Sequence, residues 1–212
     1  RRILQERHGG ALKQSASATF HERLWQFVNE GSDVPRRLRA IWALHVTNGL
    51  SDDRIDTLLV DTDEYVRSWA IQLALEDRSI TDDQRRQFQT LAIEGGSPLV
   101  RLYLASALQR LPFQVRRELL PFLVAHVEDN QDHNLPLMIW YGLEPLVTDD
   151  VNWALSLSAM SRIDVVSDHI FRRATFDADS LNTMVQWLTT VSSKLQERAL
   201  DQMLIAFDER VD

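Results

Sequence analysis

The chain has 212 residues, 44% hydrophobic and 25% charged, with no cysteine. That is globular composition, and it excludes disulfides, a thiolate nucleophile, Cys-ligated zinc and covalently attached c-type haem on this chain. Net charge is −8: residues 1–106 carry 14 basic and 15 acidic groups and residues 107–212 carry 9 and 16, a balance that disfavours nucleic acid and anionic membranes, which need a positive face. No apolar run approaches the ~20 residues of a membrane span. The chain starts at Arg1 with no signal-like apolar stretch, which leads us to expect a piece of a longer protein.

Apolar residues recur at helical spacing along nearly the whole chain, and sustained period-2 alternation is missing. The pattern predicts helices near 2–8, 17–30, 35–47, 52–60, 63–76, 82–93, 98–110, 113–128, 135–147, 150–159, 163–175, 180–191 and 194–209. Asp33, Ser97 and Asn134 stand just before Pro35, Pro98 and Pro136 as cap candidates, and Asp179-Ser180 and Ser192-Ser193 are further starts. Gly31, Gly49 and Gly95-Gly96 fall where helices stop. Pro121 and Pro145 fall inside apolar patterns, where they are expected to kink or end a helix.

One string recurs. Asp63-Glu64-Tyr65-Val66-Arg67-Ser68-Trp69-Ala70 matches Ser97-Pro98-Leu99-Val100-Arg101-Leu102-Tyr103-Leu104, with weaker copies through Leu38, Leu137, Val165 and Leu195. The anchors 38, 66, 100, 137, 165 and 195 are 28, 34, 37, 28 and 30 residues apart, the length of a two-helix repeat. Such a unit cannot bury its apolar face alone, so an all-α solenoid of about six degenerate repeats, one domain over 1–212, is expected. The alternative is an irregular helical bundle.

The pattern Asp63, Val66, Arg67, Ala70 resembles the second helix of a HEAT repeat. That resemblance implies an Asp–Arg ladder between repeats, with Asp63 at the Asp position and Arg67, Arg101 and Arg39 at the Arg position; Ser97 replaces the Asp in the next copy. The longer strings 38–50, 63–77, 100–112 and 134–146 resemble the HEAT-repeat region of membrane-bound dehydrogenases with a PVC-type haem-binding domain. In that family a β-propeller precedes the repeats and a cytochrome segment with Cys-x-x-Cys-His follows. The resemblance covers roughly residues 1–175. It implies a connecting scaffold in an exported or periplasmic parent protein, with haem only elsewhere in that parent.

Residues with chemical potential are few. The histidines (His8, His21, His45, His126, His133, His169) show no zinc-site spacing. The densest polar cluster is His126, Glu128, Asp129, Asp132, His133 and Asn134. It could hold a divalent ion if it folded back on itself, but a solvated turn with caps is the expectation. The pairs Asp52-Asp53, Asp82-Asp83 and Asp149-Asp150 each open a predicted helix, where negative charge interacts well with the helix dipole. No nucleophile-elbow, Walker or dinucleotide motif occurs, so neither catalytic nor cofactor-binding residues are assigned.

Trp42, Trp69, Tyr103 and Trp140-Tyr141 recur on successive second helices. Inter-repeat core is the favoured place for most of them, and an exposed row binding a peptide, a sugar or a partner domain is the alternative. Candidate contact residues are Trp69, Tyr103, Asn134, Trp140, Tyr141 and Glu144. The expected function is a non-catalytic scaffold contacting neighbouring domains of a parent protein or another protein. Two rivals are a HEAT-like DNA glycosylase, which needs a basic concave face, and a ligand-binding solenoid.

Overall fold

The computed structural model describes residues 14–76, 79–94 and 96–209. The expected first helix near 2–8, His8, Gly9-Gly10 and Gly95 lie outside them. The described residues form twelve α-helices and one 3-10 turn, with no strand among them. They are α1 (Gln14–Glu30), α2 (Val34–Val46), α3 (Asp52–Leu59), α4 (Glu64–Ala74), α5 (Asp82–Glu94) and α6 (Pro98–Leu108). Next come α7 (Phe113–Leu123), a 3-10 turn (Val127–Gln131), α8 (Leu135–Asp149), α9 (Val151–Met160), α10 (Asp164–Ala174), α11 (Ala178–Leu188) and α12 (Ser193–Asp208).

Helix starts follow local chemistry. Asp33, Asp63, Ser97, Asp150 and Asp177 occupy caps and accept backbone N–H bonds from the first turn of α2, α4, α6, α9 and α11. Asn134 stands at the α8 cap but makes no side-chain cap bond. Asp132 takes that role instead, accepting from the N–H groups of Asn134 and Leu135 at 2.8 Å each. Asp52-Asp53 and Asp82-Asp83 open α3 and α5. Asp149 instead closes α8 while Asp150 caps α9, and Arg117 bonds both carboxylates at 2.7 and 3.1 Å. The unfavourable position of Asp149 at a helix C-terminus is thereby offset.

The helix expected over 113–128 stops at Leu123, two residues after Pro121, and a 3-10 turn follows. Pro145 does not end α8, which continues to Asp149. It lies on the exposed side of the helix, where water can replace the missing N–H.

The described residues up to Phe88 form one compact unit and those from Gln89 another. In the first unit, α1 packs on α2, α3 on α4, and α2 on α4. Val28, Ile41, Leu44, Leu58, Leu59, Val66 and Ile71 fill its core. In the second, alternate helices lie side by side: α6 on α8, α8 on α10, α10 on α12. Leu104, Leu108, Leu119, Leu143, Leu155, Val166, Ile170 and Phe171 are buried there. The α6–α8 approach is close, because a Cβ on Gly142 would stand 2.4 Å from Leu108 Cβ.

All six recurrence anchors fall within the first five residues of α2, α4, α6, α8, α10 and α12. Two of them are out of register. Leu137 and Val165 are exposed, whereas Leu135 and Val166 are buried as Val66 and Val100 are. Burial therefore shifts the anchors of α8 and α10 to Leu135 and Val166.

Arginines tie helices together. Arg101 is 1% exposed and Asp129 2%. The Arg101 Nε donates to Asp129 Oδ2 at 2.5 Å, its Nη2 bonds Oδ1, and Glu128 lies 3.5 Å away. Arg116 donates to the carbonyls of Leu111, Gly142 and Gln109 at 2.8, 3.0 and 3.2 Å, and its burial lowers its pKa. Arg198 bonds Asp168 and Asp164, which raises its own pKa.

Unit 1 departs from the ladder expected of Arg39, Asp63 and Arg67. Asp63 spends its carboxylate on the N–H groups of Tyr65 and Val66. Asp61 is the acceptor instead: Arg37 bonds its carboxylate, and Arg67 Nη1 donates to its carbonyl at 2.6 Å. Arg37 stands four residues before Ile41 and seven before Leu44, so it shares their inward stripe, while Arg39 is exposed on another face.

Candidate functional site

The aromatic residues singled out in the sequence lie on α2, α4, α6 and α8, and none is fully buried. Trp42 is 37% exposed and Tyr141 52%, while Trp69, Tyr103 and Trp140 are half-buried. Three of the five are thus partly covered and two are exposed, so neither full burial in an inter-repeat core, favoured for most of them from sequence, nor a freely exposed row describes them all. The core stripe of α4 runs through Val66, Ala70, Ile71 and Ala74, which turns Trp69 to its margin.

In unit 1 two of these rings build a cavity. Trp42 and Trp69 meet edge to face, with centroids 4.8 Å apart and planes at 71°. With Ala43, Val46 and Leu73 they line an open cavity of about 400 Å³ between α2 and α4. Arg39, Trp42, Ala43 and Val46 share one face of α2 by their i, i+3, i+4, i+7 spacing; Trp69 and Leu73 share one face of α4, and Glu76 stands in the turn just after it. Polar groups close the rim. His45 Nε2 lies 2.7 Å from a Glu76 carboxylate oxygen, linking the two helix ends. Arg39 has no hydrogen-bond or ion-pair partner among the described residues, although Arg36 on the preceding turn is held by Asp33 at 3.0 Å.

Unit 2 has its own aromatic contact. Trp140 stacks on His169 of α10, with centroids 5.0 Å apart and planes at 23°. His169 follows Val166 by three residues, as Trp69 follows Val66 and Tyr103 follows Val100. Burial, and secondarily the charge of Arg172, lowers its pKa, while Asp168 opposes the shift. Sequence reading missed His169 because the Val165 anchor was one residue out of register. Glu144 lies 3.5 Å from Arg173, whose guanidinium covers the Phe176 ring. Asn134 is exposed beside the 3-10 turn.

The polar cluster after α7 is committed to structure. His126 lies 2.8 Å from the Ala92 carbonyl and 3.2 Å from Glu128, Asp129 is paired with Arg101, and Asp132 caps α8. Its own backbone hydrogen bond, then Arg101 and His126, hold Glu128 below the usual carboxylate range; the amides of Leu135 and Asn134 do so for Asp132. No group of three or more His, Asp or Glu among the described residues is arranged to hold a metal ion. No described helix is long and apolar enough to cross a membrane.

The site is an aromatic-walled cavity with a cation on its rim. Comparison with known proteins finds no family model, no curated protein and no solved structure that this chain matches.

Proposed function

We propose that the chain is a HEAT-like solenoid segment that acts as a non-catalytic scaffold for protein–protein or inter-domain contacts. The observation that carries this reading is the side-by-side packing of alternate helices, α6 on α8 on α10 on α12. That is how two-helix repeats bury faces they cannot bury alone. The recurrence at the start of every second helix points the same way. So does the use of Arg37, Arg101, Arg116 and Arg198 as ties between helices or turns.

The parent we propose is a larger dehydrogenase of the family named above, in which this segment spaces a propeller and a cytochrome domain. Reading the coding DNA on both sides tests that context. Propeller-like strands upstream and Cys-x-x-Cys-His downstream are the expected result. Start and stop codons adjoining this segment would refute the parent context. Co-expressing the segment with the flanking domains then tests the scaffold role, with co-purification at moderate salt as the expected outcome and no association as the refuting one.

A further inference from the structure

We infer that the cavity between α2 and α4 receives an acidic polypeptide segment, with a bulky apolar side chain entering against Trp42 and Trp69 and a neighbouring carboxylate pairing with Arg39. The inference rests on the scaffold reading and names the site where a partner would dock.

Four observations carry it. First, the cavity wall is apolar and aromatic, and its volume of about 400 Å³ is within the range that buries a large side chain together with adjoining backbone. Second, Trp42 and Trp69 already sit edge to face, so the aromatic wall is preformed and little further ordering is needed on binding. Third, the charge at the rim is unbalanced. Arg37, Arg54, Arg101, Arg116, Arg117 and Arg198 all bond carboxylates or carbonyls, yet Arg39 faces the cavity with no partner among the described residues. A guanidinium there favours a carboxylate, which it can bond through two parallel N–H groups. Fourth, the opposite rim is polar but internally paired. Glu76 is engaged by His45, so it repels a bound acidic segment less than a bare carboxylate would. A basic segment would meet Arg39 as a like charge and find no unpaired carboxylate among the cavity residues in return.

The probe is a fluorescein-labelled decapeptide in which one Phe is flanked by two acidic residues on each side within a Gly/Ser frame. Two companions replace the Phe by Ala or the four acids by Lys. Anisotropy is read at low and at physiological salt against the wild-type chain and against Arg39→Glu, whose exposed position predicts an intact fold, to be checked by circular dichroism. Trp42→Ser is a second variant, used if it folds. The expected result is saturable binding of the acidic Phe peptide, weakened by salt. Loss of the Phe, or Arg39→Glu, should weaken it by about tenfold or more, since the latter replaces an attraction by a like-charge contact.

Equal binding of the Lys peptide overturns the inference, as does indifference to Arg39→Glu. So does tryptophan quenching by a trisaccharide probe without any peptide binding, which would make the cavity a sugar site. Self-association of the chain through this face, abolished by Arg39→Glu and with no peptide binding, also overturns it. Failure here is separable from failure of the scaffold reading. Flanking domains that bind wild type and Arg39→Glu equally keep the scaffold and refute this site. Peptide binding with no association of the flanking domains keeps the site and refutes the scaffold role between those domains.

Discussion

Removing the Asp129 side chain should destabilise the protein more than any other single truncation of a charged residue described above. The Arg101 and Asp129 side chains are only 2% and 3% exposed and meet through two parallel hydrogen bonds. In Asp129→Ala the guanidinium stays buried, and the carboxylate of Glu128, 3.5 Å away and 56% exposed, is a poor substitute. Breaking a buried pair in this way costs about 3–5 kcal/mol, because the remaining charge has lost both water and partner. At roughly 2–4 °C per kcal/mol for a chain of this length, Tm should fall by about 6–20 °C. The backbone bonds of the turn, from Asp129 N–H to the His126 carbonyl and from Asp132 N–H to the Asp129 carbonyl, do not use the side chain. The loss is therefore assigned to the ion pair. The assay is urea unfolding followed by circular dichroism, in a cycle with Arg101→Met and the double variant. The double variant should lie within about 2 kcal/mol of wild type, since an apolar replacement removes the buried charge altogether. An Asp129→Ala cost below about 1 kcal/mol, or strict additivity across the cycle, refutes the reasoning.

Four further predictions follow from particular contacts. Gly142→Ala should cost about 1–3 kcal/mol by overpacking α6 against α8, exceeding alanine's gain in helix propensity; a neutral melting temperature would mean the helices can separate there. Asp56 carries a raised pKa, from burial first and then from Asp83, Asp52 and Asp53, with Gln84 opposing, and one of its oxygens is buried without a partner. Asp56→Asn should therefore raise the urea midpoint at pH 7, with a gain that shrinks as pH falls through the raised pKa, and a lowered midpoint would count against it. The pKa of His169 is lowered from 6.5, so the unfolded chain binds that proton first, and stability should decline as pH falls from 6.5 towards the folded value. An NMR titration of the ring with a midpoint at or above 6.5 refutes this, and His169→Gln should remove the slope. Finally, a labelled DNA duplex should not bind even at low ionic strength, because net charge is −8 and Arg37, Arg101 and Arg198 are each paired with carboxylates; salt-sensitive retention would revive the glycosylase reading.

Much of the secondary structure was legible because it is local. Helix period, Asp and Ser caps and Pro at first turns place eleven of the described helices within a few residues. The eighth expected helix, over 113–128, overran its end because an apolar pattern continues past Pro121 while the backbone does not. Asn134 holds the cap position but makes no side-chain cap bond; Asp132, two residues earlier, accepts from the N–H groups of Asn134 and Leu135, and Pro136 has no N–H to offer. The candidate site was half legible. Trp42 and Trp69 were visible as a recurrence, but Arg37 and Arg39 look alike in a string of basic residues. Only the rotation of α2 about its axis sends one to Asp61 and leaves the other on the cavity rim.

The sequence by itself determined an all-helical chain, the order of its helices and the presence of aromatic residues on every second one up to α8. These depend on 3.6-residue periodicity and on capping within a few positions. The tertiary structure alone decided which of those aromatics close a cavity, which arginine finds a carboxylate and which valine is core. Those outcomes depend on groups some 24–34 residues apart, as in Arg37–Asp61, Arg101–Asp129 and Arg198–Asp164, meeting across helix pairs. Burial is settled by those encounters, and a one-residue shift in a weak repeat is enough to move a side chain from one face of a helix to another.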